Sequence, residues 1–313
     1  MGRRNESSTT DFILLGLFPE YKHRNLLIYV ALLIYLAAIA GNAVLVLLIW
    51  GDVRLHTPMY FLLSQLSLMD VILTSTTVPK MAADFFSGRR SISCVACGAQ
   101  MFLYLSLGGA ECLLLTLMSY DRYVAVCHPL RYPVLVSPVF CLKMVVVCWS
   151  GCVLGSLAHT AYTMNVPVCG AREIHQYFCE LLIVLKLACR DTSTYNTVVL
   201  VSGMTLLLTP FSLIVVSYAL IFLSILRMDS REGRRKALAT CSSHLTVVAL
   251  YFGPAMLIYM RPDSVRSPEQ SQALSVIPNI LTPALNPLIY SLRNKEVLRS
   301  LTKVLGKCSV SQC

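Results

Sequence analysis

Long apolar runs separated by short polar segments make up most of this chain of 313 residues. Seven of the runs approach the roughly 20 residues with which an α-helix crosses the hydrocarbon core of a bilayer. They cover roughly residues 26–49, 59–80, 98–120, 141–161, 197–226, 238–260 and 271–291. The pattern therefore predicts an all-α membrane protein, with the chain folded as a bundle of seven transmembrane helices.

Three of the predicted helices contain residues that are unusual inside a membrane. The second contains Asp70, the third contains Glu111, and the seventh contains Pro278, Pro283 and Pro287. Proline is tolerated there because neighbouring helices can satisfy the freed backbone groups. A carboxyl group within the bilayer is costly unless it is paired or solvated, so both acids are candidates for a functional polar site.

Composition supports a membrane domain and argues against several soluble classes. Hydrophobic residues make up 56% of the chain and charged residues only 13%, whereas a soluble domain has about 25% charged residues. The net charge of +10 is spread through short segments between the apolar runs and forms no basic face for nucleic acid. The 13 cysteines lack zinc-finger spacing.

The polar ends of the chain flank the predicted transmembrane domain, residues 26–291. Residues 1–25 lack the apolar core of a cleavable signal peptide and contain the N-glycosylation sequence that begins at Asn5. Residues 292–313 place an apolar stripe beside a basic face, which predicts an amphipathic helix lying on the inner leaflet. Two cysteines in this tail are either palmitoylated or unmodified thiols, Cys308 and Cys313.

Orientation is predicted with the N-terminus outside the cell and the C-terminus in the cytoplasm of a multi-pass plasma-membrane protein. The cytoplasmic segments then hold 14 of the 26 Lys and Arg residues, so counting basic residues barely decides the matter. Cysteines are more informative, because five of them then fall in or beside external loops, where disulfides can form. They are Cys94, Cys97, Cys169, Cys179 and Cys189. Since five is odd, at least one stays unpaired.

Short motifs occur in a characteristic order along the predicted helices. They are Gly41-Asn42, Leu55-His56-Thr57-Pro58-Met59-Tyr60, the segment Met118 to Cys127 around Asp121-Arg122-Tyr123, Ser217-Tyr218, the segment Lys236 to Leu245, and the segment Pro283 to Asn294. Each alone is a weak signal, but together they span nearly the whole chain. In this arrangement the chain resembles the tetrapod-type (class II) odorant receptors of the rhodopsin-like G-protein-coupled receptor family.

The resemblance implies a receptor rather than an enzyme. Such a receptor binds a small volatile molecule and activates a stimulatory olfactory-type heterotrimeric G protein, which raises cyclic AMP. Arg122 is expected to pair with Asp121 at rest and to be freed on activation, while Tyr218 swings inward. The full set of implied switch residues is Asp121, Arg122, Tyr123, Tyr218, Asn286, Pro287 and Tyr290. The basic run at 234–236 either lines the cytoplasmic mouth or is simply solvated.

The resemblance also places Asp70, Glu111 and Asn286 together. Two carboxyl groups in one dry site cannot both stay ionised cheaply, so we expect a shared proton or a bound sodium ion, or else a purely structural polar network. No other cofactor is expected. The resemblance further implies two disulfides, Cys97–Cys179 and Cys169–Cys189, which leaves Cys94 unpaired. A copper site beside Cys179 is not expected, because His175 is displaced by one residue from the pattern seen in some relatives.

The implied ligand pocket lies between the outer halves of helices three, five, six and seven. No carboxylate occupies the outer half of helix three, which argues against a cationic amine and favours a compact, mostly apolar ligand with one polar group. Helix six reads Tyr251-Phe252-Gly253 where many relatives have Phe-Tyr-Gly, so Phe252 lacks a hydroxyl expected to couple ligand to helix movement. The predicted lining residues are Tyr104, Leu105, Gly108, Gly109, Ser202, Leu206, Phe252, Ala255, Tyr259, Val276 and Asn279.

Three other functions fit the sequence less well. A transporter or channel would show inverted repeats or a longer relay of acidic residues. A retinal-binding pump would need a lysine within residues 271–291, where none occurs. A membrane enzyme would carry a motif such as HExxH, GxSxG or a phosphate-binding glycine loop, and none is found in the sequence.

Overall fold

The computed structural model describes residues 11–19, 21–260, 267–292 and 294–310. The predicted glycosylation site at Asn5 and the tail cysteine Cys313 lie outside the described residues. The side chains of Tyr259 and Cys308 lie outside them as well.

Seven helical spans among the described residues are long and apolar enough to cross a membrane. This confirms the predicted all-α bundle of seven membrane-spanning helices. The first six spans are α1 (Arg24–Gly51), α2 (Pro58–Ser87), α3 (Cys94–Cys127), α5 (Pro138–Met164), α7 (Ser193–Leu226) and α8 (Arg231–Tyr259). Two short helices lie in the connections between spans, α4 (Tyr132–Leu135) and α6 (Leu181–Leu185).

The seventh span is built from three consecutive pieces. They are α9 (Pro268–Val276), a π-helical turn (Ile277–Leu281) and α10 (Thr282–Leu292). Proline removes a backbone donor and clashes with the preceding turn, and the π-turn at Pro278 widens the helix without interrupting it. The final helix, α11 (Lys295–Val310), follows directly.

Several helices extend beyond the apolar runs that predicted them. Helix α8 begins at Arg231, seven residues before the predicted start at 238. Ser230 caps this end, since its side chain accepts a hydrogen bond from the backbone N–H of Gly233. Hydropathy detects only the part of a helix that lies in hydrocarbon, so a polar extension with a good cap escapes it.

Helix α3 forms the centre of the bundle and packs against α2, α5 and α7. Its buried side chains include Leu107, Leu114, Leu115 and Met118, which join the largest apolar cluster. Helices α5 and α7 leave most of their apolar side chains on the outside of the bundle. Such surfaces are stable against lipid tails and would be unstable against water.

A small three-stranded sheet covers one end of the bundle. Its central strand is β1 (Phe12–Leu14), which pairs antiparallel with β2 (Ser91–Ile92) and parallel with β3 (Glu173–Ile174). We call this end, which also carries both disulfides, the disulfide end. Part of the segment predicted only as a polar tail therefore folds against the bundle, with Phe12 and Leu14 buried beneath the sheet.

Helix α11 follows the opposite end of the bundle, which we call the Asp-Arg end after Asp121 and Arg122. Val297 on α11 is fully buried, and Leu301 packs against the main apolar cluster. The apolar stripe of this helix is therefore partly covered by the bundle itself.

Candidate functional site

A cavity of about 460 Å³ opens near the disulfide end between α3, α7, α8 and the seventh span. The connection between α5 and α7 covers its outer side. Seven of the predicted pocket residues line it: Tyr104, Leu105, Gly108, Gly109, Leu206, Ala255 and Asn279. The structure thus brings together residues from four separate spans of the sequence.

Three other predicted pocket residues do not line this cavity. Ser202 faces α5, where its hydroxyl lies 3.3 Å from Nε2 of His159. Phe252 is buried in the core with its ring 5.5 Å from that of Phe211. Val276 packs against an apolar cluster beside α1 and α2. Consecutive helix residues point about 100° apart, so an error of one position along α8 or α7 turns a side chain out of the cavity.

Tyr251 lines the cavity in place of Phe252. Its hydroxyl donates to the backbone carbonyl of Gly108 at 2.5 Å and accepts from Sγ of Cys112 at 3.6 Å. The Tyr251 hydroxyl therefore connects α8 to α3. The motif of the relatives carries its tyrosine hydroxyl one position later, at position 252. The sequence shows two neighbouring aromatic residues here, Tyr251 and Phe252, but it does not show how α8 is rotated and so which ring faces the cavity.

The two adjacent glycines of α3 have different roles. A Cβ atom on Gly109 would lie 3.0 Å from Leu206 and 3.1 Å from Sγ of Cys152, so this glycine permits close packing of α5 and α7 on α3. A Cβ on Gly108 would meet only the Tyr251 hydroxyl, at 3.6 Å. Gly108 therefore leaves space in the cavity, whereas Gly109 serves helix packing.

The connection between α5 and α7 supplies a large part of the cavity wall. None of the predicted lining residues lies on this connection. Loop residues lack the periodicity from which a lining face can be inferred. Charged and polar side chains from this connection include Glu173, His175, Gln176, Glu180 and Lys186. Apolar ones include Phe178, Leu182, Ile183 and Leu187.

Two disulfides hold this connection in place. Cys97 on α3 is bonded to Cys179, and Cys169 is bonded to Cys189, which is the pairing implied by the resemblance. Cys94 is free. The backbone N–H of Cys179 also donates to the side chain of Gln100 at 2.8 Å. The wall of the cavity is thus anchored covalently and by hydrogen bonds to α3.

A buried chain of hydrogen bonds runs from the cavity to the N-terminal segment. Nδ2 of Asn279 donates to the Tyr177 hydroxyl at 3.1 Å. Oγ of Ser275 lies 3.3 Å from the same hydroxyl and donates its hydrogen to the backbone carbonyl of Gln272 at 2.8 Å. The side chain of Gln272 then accepts from the backbone N–H of Phe18 at 2.9 Å. This chain joins the seventh span, the α5–α7 connection and the N-terminal segment.

A second polar network lies deeper in the bundle. Nδ2 of Asn286 donates to Oδ2 of Asp70 at 2.8 Å, and both side chains are buried. Glu111 is also buried and interacts electrostatically with Asp70. Four oxygens here have no hydrogen-bond partner among the described residues: Asp70 Oδ1, Thr74 Oγ1, Glu111 Oε2 and Asn286 Oδ1. Buried oxygens of this kind are the ligands that hard cations and internal waters use.

The Asp-Arg end carries the residues expected to act as a switch. Oδ1 of Asp121 accepts a hydrogen bond from the Tyr132 hydroxyl at 2.6 Å. None of the described ion pairs joins Asp121 to Arg122, in contrast to the expected resting pair. Neighbouring residues on a helix point in different directions, so Asp121 faces α4. Burial, followed by the Asp121 carboxylate, raises the pKa of Tyr132, which therefore stays a neutral donor.

Tyr218 and His244 connect α7 to α8 at the same end. The Tyr218 hydroxyl lies 2.8 Å from Nδ1 of His244, and the two rings stack with centroids 5.7 Å apart. His244 lies within the motif Lys236 to Leu245, for which the sequence predicted no switch role. Tyr123, by contrast, contacts His128 through its hydroxyl at 3.1 Å.

The predicted hinge residues lie against α1. A Cβ atom on Gly41 would come within 2.9 Å of Cγ of Pro287, so glycine is required for this approach. Asn42 donates to the backbone carbonyl of Pro283 at 2.7 Å. Residues on either side of Asn286 are thereby held to the first helix.

Comparisons with known proteins show what the whole chain is similar to. A family model described as Olfactory receptor matches residues 31–308. The chain is 51% identical over 306 residues to olfactory receptor 2V1 of Mus musculus, covering 98% of this chain and 97% of that protein. It is 52% identical over 308 residues to olfactory receptor 2T27 of Homo sapiens, covering 98% of this chain and 97% of the relative. It is also 51% identical over 304 residues to human olfactory receptor 2T8, with 97% of each chain covered.

Proposed function

The chain belongs to the olfactory receptor family of seven-helix plasma-membrane receptors, and on that premise we propose which ligand class it binds and which G protein it activates. It binds a small, mostly apolar volatile molecule in the 460 Å³ cavity and activates a stimulatory olfactory-type heterotrimeric G protein, which raises cyclic AMP. The observation that carries this proposal is the Tyr251–Gly108 hydrogen bond, which links the cavity to the helix that bears His244.

The N-terminus lies outside the cell and the C-terminus in the cytoplasm. Two disulfides at the disulfide end support this orientation, because such bonds persist in an oxidising compartment. The Asp-Arg end then faces the cytoplasm and the G protein. Helix α11 lies beside the inner leaflet, where its basic side chains meet anionic lipid headgroups.

Ligand binding shifts an equilibrium between two arrangements of the bundle. A ligand can do this only if it interacts differently with the two arrangements. Tyr251 provides such a difference, because movement of α8 changes its contact with Gly108 and with any molecule in the cavity. At the other end, the same movement separates His244 from Tyr218 and opens a crevice beside Arg122. Each neutral hydrogen bond that the movement breaks contributes about 0.5–1.5 kcal/mol, so the free energy needed for the movement is small.

The deep network of Asp70, Glu111 and Asn286 binds a sodium ion or holds a shared proton in the resting arrangement. Its unpartnered carboxylate and amide oxygens support this proposal. Replacing Glu111 by Gln removes one charge while keeping the shape of the side chain. If signalling by Glu111→Gln showed the same sodium dependence as the parent, the ion site would be rejected.

The first experiment measures cyclic AMP in cells that express the chain with the stimulatory olfactory-type G protein, across a library of volatile compounds. Arg122→Ala is measured in parallel, and Arg131→Ala serves as a control on the same side of the bundle. We expect responses in the parent and in Arg131→Ala, and none in Arg122→Ala at equal surface level. Equal responses from Arg122→Ala and the parent would contradict the proposed coupling.

A further inference from the structure

The polar groups that line the cavity differ in how many of their hydrogen-bonding atoms already have a partner. The Tyr251 hydroxyl already donates to Gly108 and accepts from Cys112. Ser275 already donates to the carbonyl of Gln272 and contacts the Tyr177 hydroxyl. Asn279 donates through Nδ2 to Tyr177, but its carbonyl oxygen takes part in none of the hydrogen bonds of the described residues. Asn279 is thus a lining residue with an acceptor to spare.

The buried hydrogen-bond chain fixes how the Asn279 amide is turned. Tyr177 is fully buried, and its oxygen accepts from Nδ2 of Asn279 and lies 3.3 Å from Oγ of Ser275. Gln272, which holds Ser275, is itself bonded to Phe18 and to the carbonyl of His175. The amide nitrogen therefore points to Tyr177, and the carbonyl oxygen is left as the available group.

The membrane-spanning helices contribute no charged residue to the described lining of the cavity. Among the described lining residues, the charged ones Glu173, Glu180 and Lys186 all lie on the α5–α7 connection. The membrane-spanning helices line the cavity mainly with apolar groups, which are Leu73, Leu105, Leu206, Leu207 and Ala255, together with the rings of Tyr104 and Tyr251. A neutral ligand suits this lining, because burying an ionised group without a partner is costly.

We propose that the ligands of this receptor carry a hydroxyl group, which donates a hydrogen bond to the carbonyl oxygen of Asn279. This inference rests on the proposed function, and it names the ligand class of the same cavity. A ketone or an ether of the same skeleton fills the cavity but cannot donate, so it leaves a buried acceptor unsatisfied. Sites built around a substrate hydroxyl discriminate strongly against analogues that lack it. We expect about a tenfold preference for the alcohol, which is near the upper end of what one net hydrogen bond contributes.

Tyr177 acts here as a positioning residue, since it orients the Asn279 amide. Tyr177→Phe removes the oxygen that holds Nδ2 and so lets the amide rotate. Alcohols and ketones should then bind with nearly equal affinity, whereas the affinity of a pure hydrocarbon should not change. Tyr195→Phe is the matched control, because its hydroxyl bonds to His159 and not to a residue of the cavity wall.

The test uses the purified full-length receptor in lipid nanodiscs and measures binding by the ligand-induced shift of the unfolding temperature. For skeletons of increasing length, a primary alcohol is compared with the matched methyl ether and ketone. We expect the alcohol to bind about tenfold more tightly than either, and Asn279→Ala and Tyr177→Phe to reduce this ratio to nearly one. Equal or tighter binding of the ethers or ketones, or binding of no alcohol in the series, would overturn the proposal.

The wild-type ratio decides the question even if a variant fails to fold. Signalling is measured separately, so that two failures can be told apart. Tight alcohol binding without a cyclic AMP response would reject the G-protein proposal and keep the hydroxyl preference. A cyclic AMP response to ketones that exceeds the response to alcohols would keep the receptor function and reject the hydroxyl preference.

Discussion

The two ends of the bundle are held together by bonds of different strength. The disulfide end has two covalent crosslinks, a three-stranded sheet and a glutamine that bridges three segments. At the Asp-Arg end, single hydrogen bonds make the corresponding connections, between Tyr132 and Asp121 and between Tyr218 and His244. The first end can therefore keep the shape of a cavity while the second changes its arrangement.

This difference suits a receptor in which binding and signalling occur at opposite ends. Breaking a disulfide costs several kcal/mol, whereas one neutral hydrogen bond contributes about 1 kcal/mol. Elements that move in a conformational change come from the less stable part of a structure. A small ligand can supply only a limited difference in free energy, so the part that it must rearrange has to be weakly held.

The largest effect is expected from removing the crosslink between α3 and the α5–α7 connection. Cys97→Ser opens a link between residues 82 positions apart, which should destabilise the protein by roughly 4 kcal/mol. Cys189→Ser opens a link of 20 positions and should cost roughly 3 kcal/mol. Surface expression and the unfolding temperature measure both. Cys94→Ser is the control, because Cys94 is free. An equal loss for Cys94→Ser would show that the crosslinks are not what braces this end.

A smaller effect is expected from Gln272, which ties the N-terminal segment to the seventh span. Gln272→Leu removes an acceptor for Phe18 N–H and donors for the carbonyls of Gly16 and His175. The cost should be about 2–3 kcal/mol, since three hydrogen bonds are lost in a buried place. Phe18 has a φ of +44°, which favours release of the segment once it is untied.

Hydrogen exchange at Gly16 and Phe18 measures this release directly. It should become faster in Gln272→Leu and stay unchanged in Ala273→Leu, an exposed position on the same helix. Unchanged exchange in Gln272→Leu would mean that the sheet alone holds the segment.

The sequence predicted the spans well, because a membrane requires each spanning helix to have a certain length and an apolar composition, and both can be read from one sequence. The family resemblance also implied seven residues that line the cavity, such as Gly108 and Asn279. It missed Tyr251 and placed Phe252 in the cavity, since the rotation of a helix about its axis is set by packing against its neighbours. Helices surrounded by lipid show only a weak amphipathic signal from which this rotation could be read.

The covering structure at the disulfide end escaped prediction for a different reason. Strands of two or three residues, such as β1 (Phe12–Leu14), are too short to show an alternating pattern. Their pairing depends on distant segments that the disulfides and α3 bring together. The same holds for Tyr177, whose importance arises from Asn279 and Ser275, far along the chain.

At the Asp-Arg end, loss of one hydrogen bond should change signalling more than stability. Tyr132→Phe removes the donor to Asp121, a bond to a charged group worth about 1.5 kcal/mol or more. If activation breaks this bond, basal cyclic AMP should rise by up to about tenfold while surface expression stays nearly constant. Tyr35→Phe on α1, which loses only a contact with Ser75, is the control. Unchanged basal activity in Tyr132→Phe would mean that Asp121 keeps the same partner in both arrangements.

The smallest effect concerns the turn after α1, where the Arg54 guanidinium donates to Asp52. This hydrogen bond, and next the one from the Arg54 backbone, lowers the pKa of Asp52 below its ordinary value of 3.8. A carboxylate with a lowered pKa stabilises the folded state above its unfolded pKa, and this contribution declines as the pH falls from there towards the folded pKa. Because the pair lies at the surface, the contribution is small. Arg54→Gln should therefore lower the unfolding temperature slightly at pH 7, and the gap from the parent should narrow at about pH 3. A gap that stays constant or widens on acidification would show that Arg54 acts through packing instead of through the charge of Asp52.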